Sequence, residues 1–170
     1  MLKYFCILLY SFFIFTNANA FLDNDGDGAK STGREDLSFL NVKNSNFKKG
    51  KDALQQAIKY KKKNKIKKKN KQLEKAIKYF VSAYKENTDN VDILYYLGLT
   101  YGMVGDFNMS EIYFQQGLYI DPKNNFINQK LGELYVNTKR IDLAEGRLEI
   151  LINCNCEEYY ILKKMIYDKK

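Results

Sequence analysis

From Asn46 onward the apolar residues recur at three- and four-residue steps, the spacing that keeps side chains on one face of an α-helix. Phe47, Ala53-Leu54 and Ala57-Ile58 predict a first helix over 46–60, and Leu73, Ala76-Ile77, Phe80-Val81 and Tyr84 a second over 72–87. Further stripes cover 91–103, 106–120, 125–137, 141–153 and 156–167. The breaks between them carry turn chemistry: Gly105-Asp106, then Asp121-Pro122 with Asn124-Asn125, then Asn137 to Arg140. Pro122, the one proline, stands where a helix can begin but not continue. No two-residue alternation competes, so the prediction is all-α.

The stripes also repeat one another. Sliding the chain by 34 residues lays Leu97-Gly98 and Tyr101 onto Leu131-Gly132 and Tyr135, Ser110-Glu111 onto Ala144-Glu145, and Phe114 onto Leu148. A fixed period of this length identifies stacked units, none of which can bury its apolar face alone. Close helix packing explains the residue types. Gly98 and Gly132 remove side chains where a helix crosses its hairpin partner, Ser110 and Ala144 keep the facing surface small, and Tyr101, Tyr135 and Phe114 fill wider gaps.

Leu94, Leu97-Gly98, Tyr101, Gly105, Phe114, Gly117 and Pro122 make the unit 91–124 resemble a tetratricopeptide repeat. A second unit over 125–158 keeps Leu131-Gly132, Tyr135 and Ala144, with Leu148 in place of the aromatic and Cys156 where the proline would fall. One period earlier, Ala76, Phe80 and Ala83 align with Ser110, Phe114 and Gly117. With Leu54 in the role of Leu97, about nine residues are inserted before Ala76, matching a lysine run over 59–71, so 46–90 reads as an expanded repeat. The resemblance implies a right-handed α-α superhelix of about three helical hairpins, closed by a capping helix over 156–168. The tail Cys156-Glu157-Glu158-Tyr159, with Leu162 beyond it, also resembles the ending of small exported bacterial proteins of this family. That implies an interaction module and no established activity.

The resemblance places a concave groove on the first helix of each pair, lined by Asp92, Tyr95, Tyr96, Leu99 and Met103, then Gln129, Lys130, Glu133 and Asn137. Such grooves hold a peptide or partner helix. Tyr95 and Leu99 equally fit a core position covering the expanded repeat, since a stripe alone does not separate core from groove. The lysine and asparagine pattern with which some family members clamp a C-terminal carboxylate is not present.

Charge changes the picture locally. The chain carries a formal net charge of +8, and the run from Lys59 to Lys71 holds nine lysines and no acid. The plain reading is a solvated, mobile insert. The functional one is weak contact with an anionic membrane surface or polymer. Export makes nucleic acid an unexpected partner.

Export itself is read from the first twenty residues: Lys3, an apolar run from Tyr4 to Phe15, and the small-x-small site Ala18-Asn19-Ala20 predict a cleaved signal peptide and a periplasmic or secreted product. Residues 21–45 read as a flexible polar leader. Within it Asp23-Asn24-Asp25-Gly26-Asp27-Gly28 resembles the start of a calcium loop, but Arg34 occupies the place of the closing glutamate, so a solvated turn is the better reading.

The mature part keeps two cysteines, Cys154 and Cys156. A short, strained disulfide, plain thiols or pairing with another chain, and copper(I) with Met165 all fit that spacing. The chain has no histidine, and no nucleophile with a neighbouring base, phosphate-cradling glycine loop or metal-ligand spacing emerges. The expectation is a non-catalytic scaffold without cofactor or metal that binds a protein or peptide. The rival is an envelope tether acting through the lysine run.

Overall fold

A computed structural model describes residues 38–169, with side chains from residue 45 onward. The predicted signal peptide over 1–20, its cleavage site and the Asp-rich segment 23–28 lie outside the described residues. Seven helices follow one another: α1 Ser38–Lys62, α2 Ile66–Glu86, α3 Val91–Val104, α4 Phe107–Ile120, α5 Asn125–Asn137, α6 Ile141–Leu151 and α7 Glu157–Tyr167. No described residue is in a strand. Consecutive helices pair as hairpins α1–α2, α3–α4 and α5–α6; α2 packs on α3, α4 on α5, and α7 on α5 and α6. The polar leader was expected to reach residue 45, but α1 begins at Ser38.

The 34-residue period shows in the helix ends. Asn90 and Asn124, one period apart, each cap the first helix of a unit, their side chains accepting from Ile93 N and Ile127 N at 3.1 Å. Asp106 caps α4 in the same way, accepting from Met109 N at 3.1 Å. Each cap satisfies an amide left open by the first helical turn. All three hairpins then close alike. Lys65 N donates to Tyr60 O at 2.9 Å, Asp106 N to Tyr101 O at 3.0 Å and Arg140 N to Tyr135 O at 2.8 Å. The residue before each donor is left-handed: Asn64 at φ 53°, Gly105 at φ 99° and Lys139 at φ 62°. This is the glycine-favouring end of a helix, and only Gly105 meets it with a glycine. Lys139→Gly is therefore expected to raise stability by about 0.5–1 kcal/mol, the steric relief at a left-handed residue exceeding glycine's added unfolded-state entropy; the thermal midpoint reads it.

Packing between the arms fixes the alignment of the first hairpin. A Cβ built on Gly98 would lie 2.5 Å from Cδ1 and Cε1 of Phe114, and one built on Gly50 would lie 2.5 Å from Cε1 of Phe80. Gly50 therefore takes the part of Gly98, not the position after Leu54 that the apolar pattern indicated. From Gly50 to Tyr60 is ten residues where Gly98 to Tyr101 is three; from Lys65 to Phe80 is fifteen where Asp106 to Phe114 is eight. Each arm is seven residues longer, so fourteen residues are added in place of the expected nine. Seven residues make about two helical turns and about 10 Å, which returns side chains nearly to the same face. Two such additions lengthen both arms without breaking their contact.

The lysine run accordingly forms no loose insert. Residues 59–71 are helical except for the turn at 63–65, and lysine's favourable helix propensity lets both arms continue through the charged sequence. A second correction concerns Gly132. Its notch is filled by Leu162 of α7, with a built Cβ 2.5 Å from Leu162 Cδ2, rather than by its hairpin partner α6. Leu148, shorter than the phenylalanine of the preceding units, stays only half-buried, and the buried Leu162 occupies the notch instead.

Candidate functional site

The helices that lead each hairpin carry the predicted groove residues. Leu99 and Met103 on α3, and Lys130, Glu133 and Asn137 on α5, line one cavity of about 400 Å³. Phe107, Phe114 and Leu134 contribute further apolar wall. Lys61 and Lys69, from the two arms of the lengthened hairpin, line its edge. Asp92, Tyr95 and Tyr96 lie nearer the start of α3 and line a second cavity of about 260 Å³, with Val91, Asn124 and Phe126. Gln129 lines neither. It is buried, 4% exposed, and its Nε2 donates to Glu133 Oε1 at 2.8 Å. The reason is position: Gln129 lies on the flank of α5 turned into the stack, where it holds the carboxylate that also pairs with Lys130 Nζ at 2.9 Å.

Tyr95 and Tyr96 combine the two roles that the sequence left open. Tyr96 stacks on Phe80 at 5.4 Å and meets Phe47 edge-on at 5.4 Å, so it joins α1, α2 and α3. Tyr95 packs beside Phe114 at 6.4 Å and Phe126 at 6.2 Å, and Phe126 is 57% exposed. One face of this aromatic row is core and the other reaches solvent at Phe126. Aromatic rows of this kind supply large apolar contact area with few rotatable bonds.

The repeat-packing residues hold this surface in place. Leu97, Leu131 and Ala144 are buried, and Ser110 Oγ donates to Gly98 O at 2.8 Å across the α3–α4 crossing. Tyr101 stacks on Tyr113 at 5.5 Å. Tyr135 donates its hydroxyl to Glu111 Oε1 at 3.0 Å, and Glu111 also pairs with Arg140 at 2.8 Å while that guanidinium lies over the Tyr135 ring. At the turn before α5, Asn128 Nδ2 donates to the Pro122 and Asn124 carbonyls, both at 3.0 Å.

Burial shifts four of these tyrosines. Desolvation raises the pKa values of Tyr95, Tyr101, Tyr113 and Tyr135 above the ordinary 10.0, with neighbouring negative charge adding to the effect at Tyr95 and Tyr101. A group held protonated by the fold contributes stability that is complete below its unfolded pKa and is lost as pH rises through its folded one. The part of the stability that these tyrosines carry should therefore hold from neutrality up to about pH 10 and fall above it. Chemical denaturation at stepped alkaline pH checks this, and a decline beginning near neutrality would contradict it.

Cys154 and Cys156 are joined as a disulfide with Cα atoms 5.1 Å apart, at the corner between α6 and α7. The cluster of three or more metal-binding side chains that a metal centre needs is not found among the described residues. Lys61, Lys69, Phe107 and Leu134 in the first cavity and Phe126 in the second are not among the residues expected from the sequence. The signal for the lysines was the left-handed turn after Tyr60, which aligns them with α3–α4; the aromatic residues stood at helix starts, outside the stripes that mark a groove.

The geometry has counterparts. A family profile for the tetratricopeptide repeat matches residues 91–124, the span of α3, α4 and the turn to Asn124. Residues 91–124 are a tetratricopeptide repeat. Solved tetratricopeptide domains share the architecture beyond that unit. The TPR domain of Arabidopsis OM64 superposes with a TM-score of 0.54 at 16% identity, over 74% of this chain and 99% of that one. The second TPR domain of human RPAP3, solved in complex with the HSP70 peptide SGPTIEEVD, gives 0.55 at 12% identity, over 74% of this chain and 98% of that one. The TPR2B domain of yeast Sti1, solved in complex with pHsp70, gives 0.55 at 12%, over 71% and 95%. At these identities the likeness shows the fold, an all-helical tetratricopeptide solenoid. Among curated proteins no match is found. In tetratricopeptide terms, α1–α2 is a unit with lengthened arms, α5–α6 a unit whose glycine notch is closed from outside, and α7 the closing helix.

Proposed function

We propose that this tetratricopeptide protein is a non-catalytic interaction scaffold that holds an extended peptide segment of a partner protein along the leading helices α3 and α5. The observation that carries the reading is the pair of cavities along α3, one aromatic at Tyr95, Tyr96 and Phe126 and one mixed at Leu99, Met103, Lys130 and Asn137. Two similar domains were solved with peptides, one of human RPAP3 and one of the protein Spaghetti (RPAP3), the latter with the HSP90 peptide SRMEEVD. We place its action outside the cytoplasm. The apolar leader with its small-residue site and the Cys154–Cys156 bond support that setting, since disulfides persist in oxidising compartments.

Met103→Lys puts a charge into the apolar wall of the larger cavity at a position that is not fully buried. Partner recovery on the immobilised full chain from an envelope extract should fall about tenfold or more, as for a central contact residue, with little change in thermal midpoint. Identical recovery by both proteins would remove the groove from the account. A second reading, the envelope tether, is favoured by the exposed lysines of the lengthened arms. It predicts sedimentation of the protein with vesicles rich in phosphatidylglycerol, unaffected by Met103→Lys.

A further inference from the structure

We propose that Lys61 and Lys69 form an anion-holding jaw at the edge of the groove, and that the segment bound there is a peptide with an acidic side chain about four residues from an aromatic one. The inference rests on the groove being a peptide site and names the chemistry of its occupant.

The placement follows from the hairpin register. Counting from the turn that Lys65 N closes onto Tyr60 O, Lys61 takes the place that Gly102 has in the next unit, and Lys69 the place of Ser110. In that unit Gly102 and Ser110 face each other, a Cβ on Gly102 lying 3.2 Å from Ser110 Oγ. Where the tetratricopeptide pattern sets two small residues across the hairpin, the lengthened arms set two cations. Among the described residues no ion pair involves Lys61 or Lys69. Both line the larger cavity, whose one carboxylate, Glu133, is already engaged by Lys130 and Gln129. Two like charges converging on one cavity repel unless an anion lies between them.

A peptide suits this site better than a membrane plane. The lysines border a concavity floored by Leu99, Met103, Phe107 and Phe114, which a side chain can enter and a flat surface cannot. The arm tip offers a bilayer only Ile66, 50% exposed, as an apolar foothold. The second cavity adds the spacing. Tyr95 and Met103 are eight residues apart on α3, about 12 Å at the helical rise, a span that an extended peptide covers in about four residues.

The probe is a fluorescent, end-blocked peptide of sequence Gly-Phe-Ser-Gly-Ser-Glu-Glu-Gly, compared by anisotropy with its Gln-Gln counterpart on the full chain. Blocking the terminus removes any contribution from a C-terminal carboxylate. The acidic peptide should bind roughly tenfold more tightly than the neutral one at low salt, with the difference shrinking as salt screens it. Lys61→Gln/Lys69→Gln should erase the difference and leave the neutral peptide's affinity in place. Lys61→Glu/Lys69→Glu should transfer the preference to a Lys-Lys peptide. These positions are exposed or half-exposed, and circular dichroism melts verify that the variants fold.

Equal binding of both peptides, with Met103→Lys weakening the neutral one, would overturn the jaw while leaving the groove standing. Binding of the neutral peptide that is insensitive to Met103→Lys, or no binding of either peptide, would overturn both readings. Lysine-dependent sedimentation with phosphatidylglycerol vesicles and no acidic-peptide preference would also overturn the jaw, in favour of the tether.

Discussion

Phe80→Ala is expected to cost about 3–5 kcal/mol, the usual range for emptying a buried phenylalanine site, and to separate α1 from the rest of the stack. Phe80 is completely buried, stacks on Tyr96 at 5.4 Å, meets Phe47 at 5.9 Å and fills the notch left by Gly50. Its ring therefore ties α2 to both α1 and α3, as Tyr96 does from the α3 side. Little relaxation is available, because the facing surfaces are glycine backbone and two other rings. A domain of this size holds about 5–15 kcal/mol in total, so the first hairpin should melt ahead of the remainder. Hydrogen exchange resolves this: protection lost across residues 46–86 and kept across 91–151 is the expected pattern. Uniform loss throughout would mean that the stack melts as one unit and that Phe80 is no local fastener.

The second large effect is at the next crossing. Gly98→Leu should cost about 3 kcal/mol, the upper part of the overpacking range, even after the roughly 1 kcal/mol gained by removing a glycine from a helix. The new Cβ would meet the Phe114 ring at 2.5 Å, and Phe114 is 2% exposed with Tyr95 beside it, so the ring has nowhere to move. The double variant Gly98→Leu/Phe114→Ala is the informative control. Leucine then enters space that the ring vacated, and the double variant should be more stable than the sum of the single losses by about 1 kcal/mol or more, as expected for residues in direct contact. Additive losses would show that the two positions do not share the crossing. Gly146, whose built Cβ meets nothing within 4 Å, should by contrast accept alanine without loss.

The units 91–124 and 125–158 were legible because their chemistry is local. A cap asparagine, a left-handed turn and a helical stripe each leave a mark within a few residues, and Asn90 with Asn124 repeats that mark at the full period. The first hairpin was harder to place because its defining contact, Gly50 against Phe80, spans thirty residues and leaves no mark in the apolar stripe. Leu54 is buried, as a residue in Leu97's role would be, so the pattern gave a plausible but shifted alignment. The lysine run misled in another way. Charge density suggested a loose segment, whereas helix formation depends on side-chain entropy and backbone bonding, which lysine satisfies. In the candidate site, the α3 and α5 residues followed from the family pattern, but Gln129 and Glu133 differ only in which flank of α5 they occupy, a distinction of a fraction of a turn. Lys61 and Lys69 could be assigned to the groove only once the turn after Tyr60 was known to match the turn after Tyr101.

The lengthened arms also have the geometry of a lever. Lys69 stands eleven residues along α2 from the Phe80 foothold, about 16 Å at the helical rise, so tilting the hairpin by about 5° swings that ammonium-bearing segment roughly 1.4 Å. Any loosening of the grip among Phe47, Phe80 and Tyr96 would therefore be magnified at Lys69.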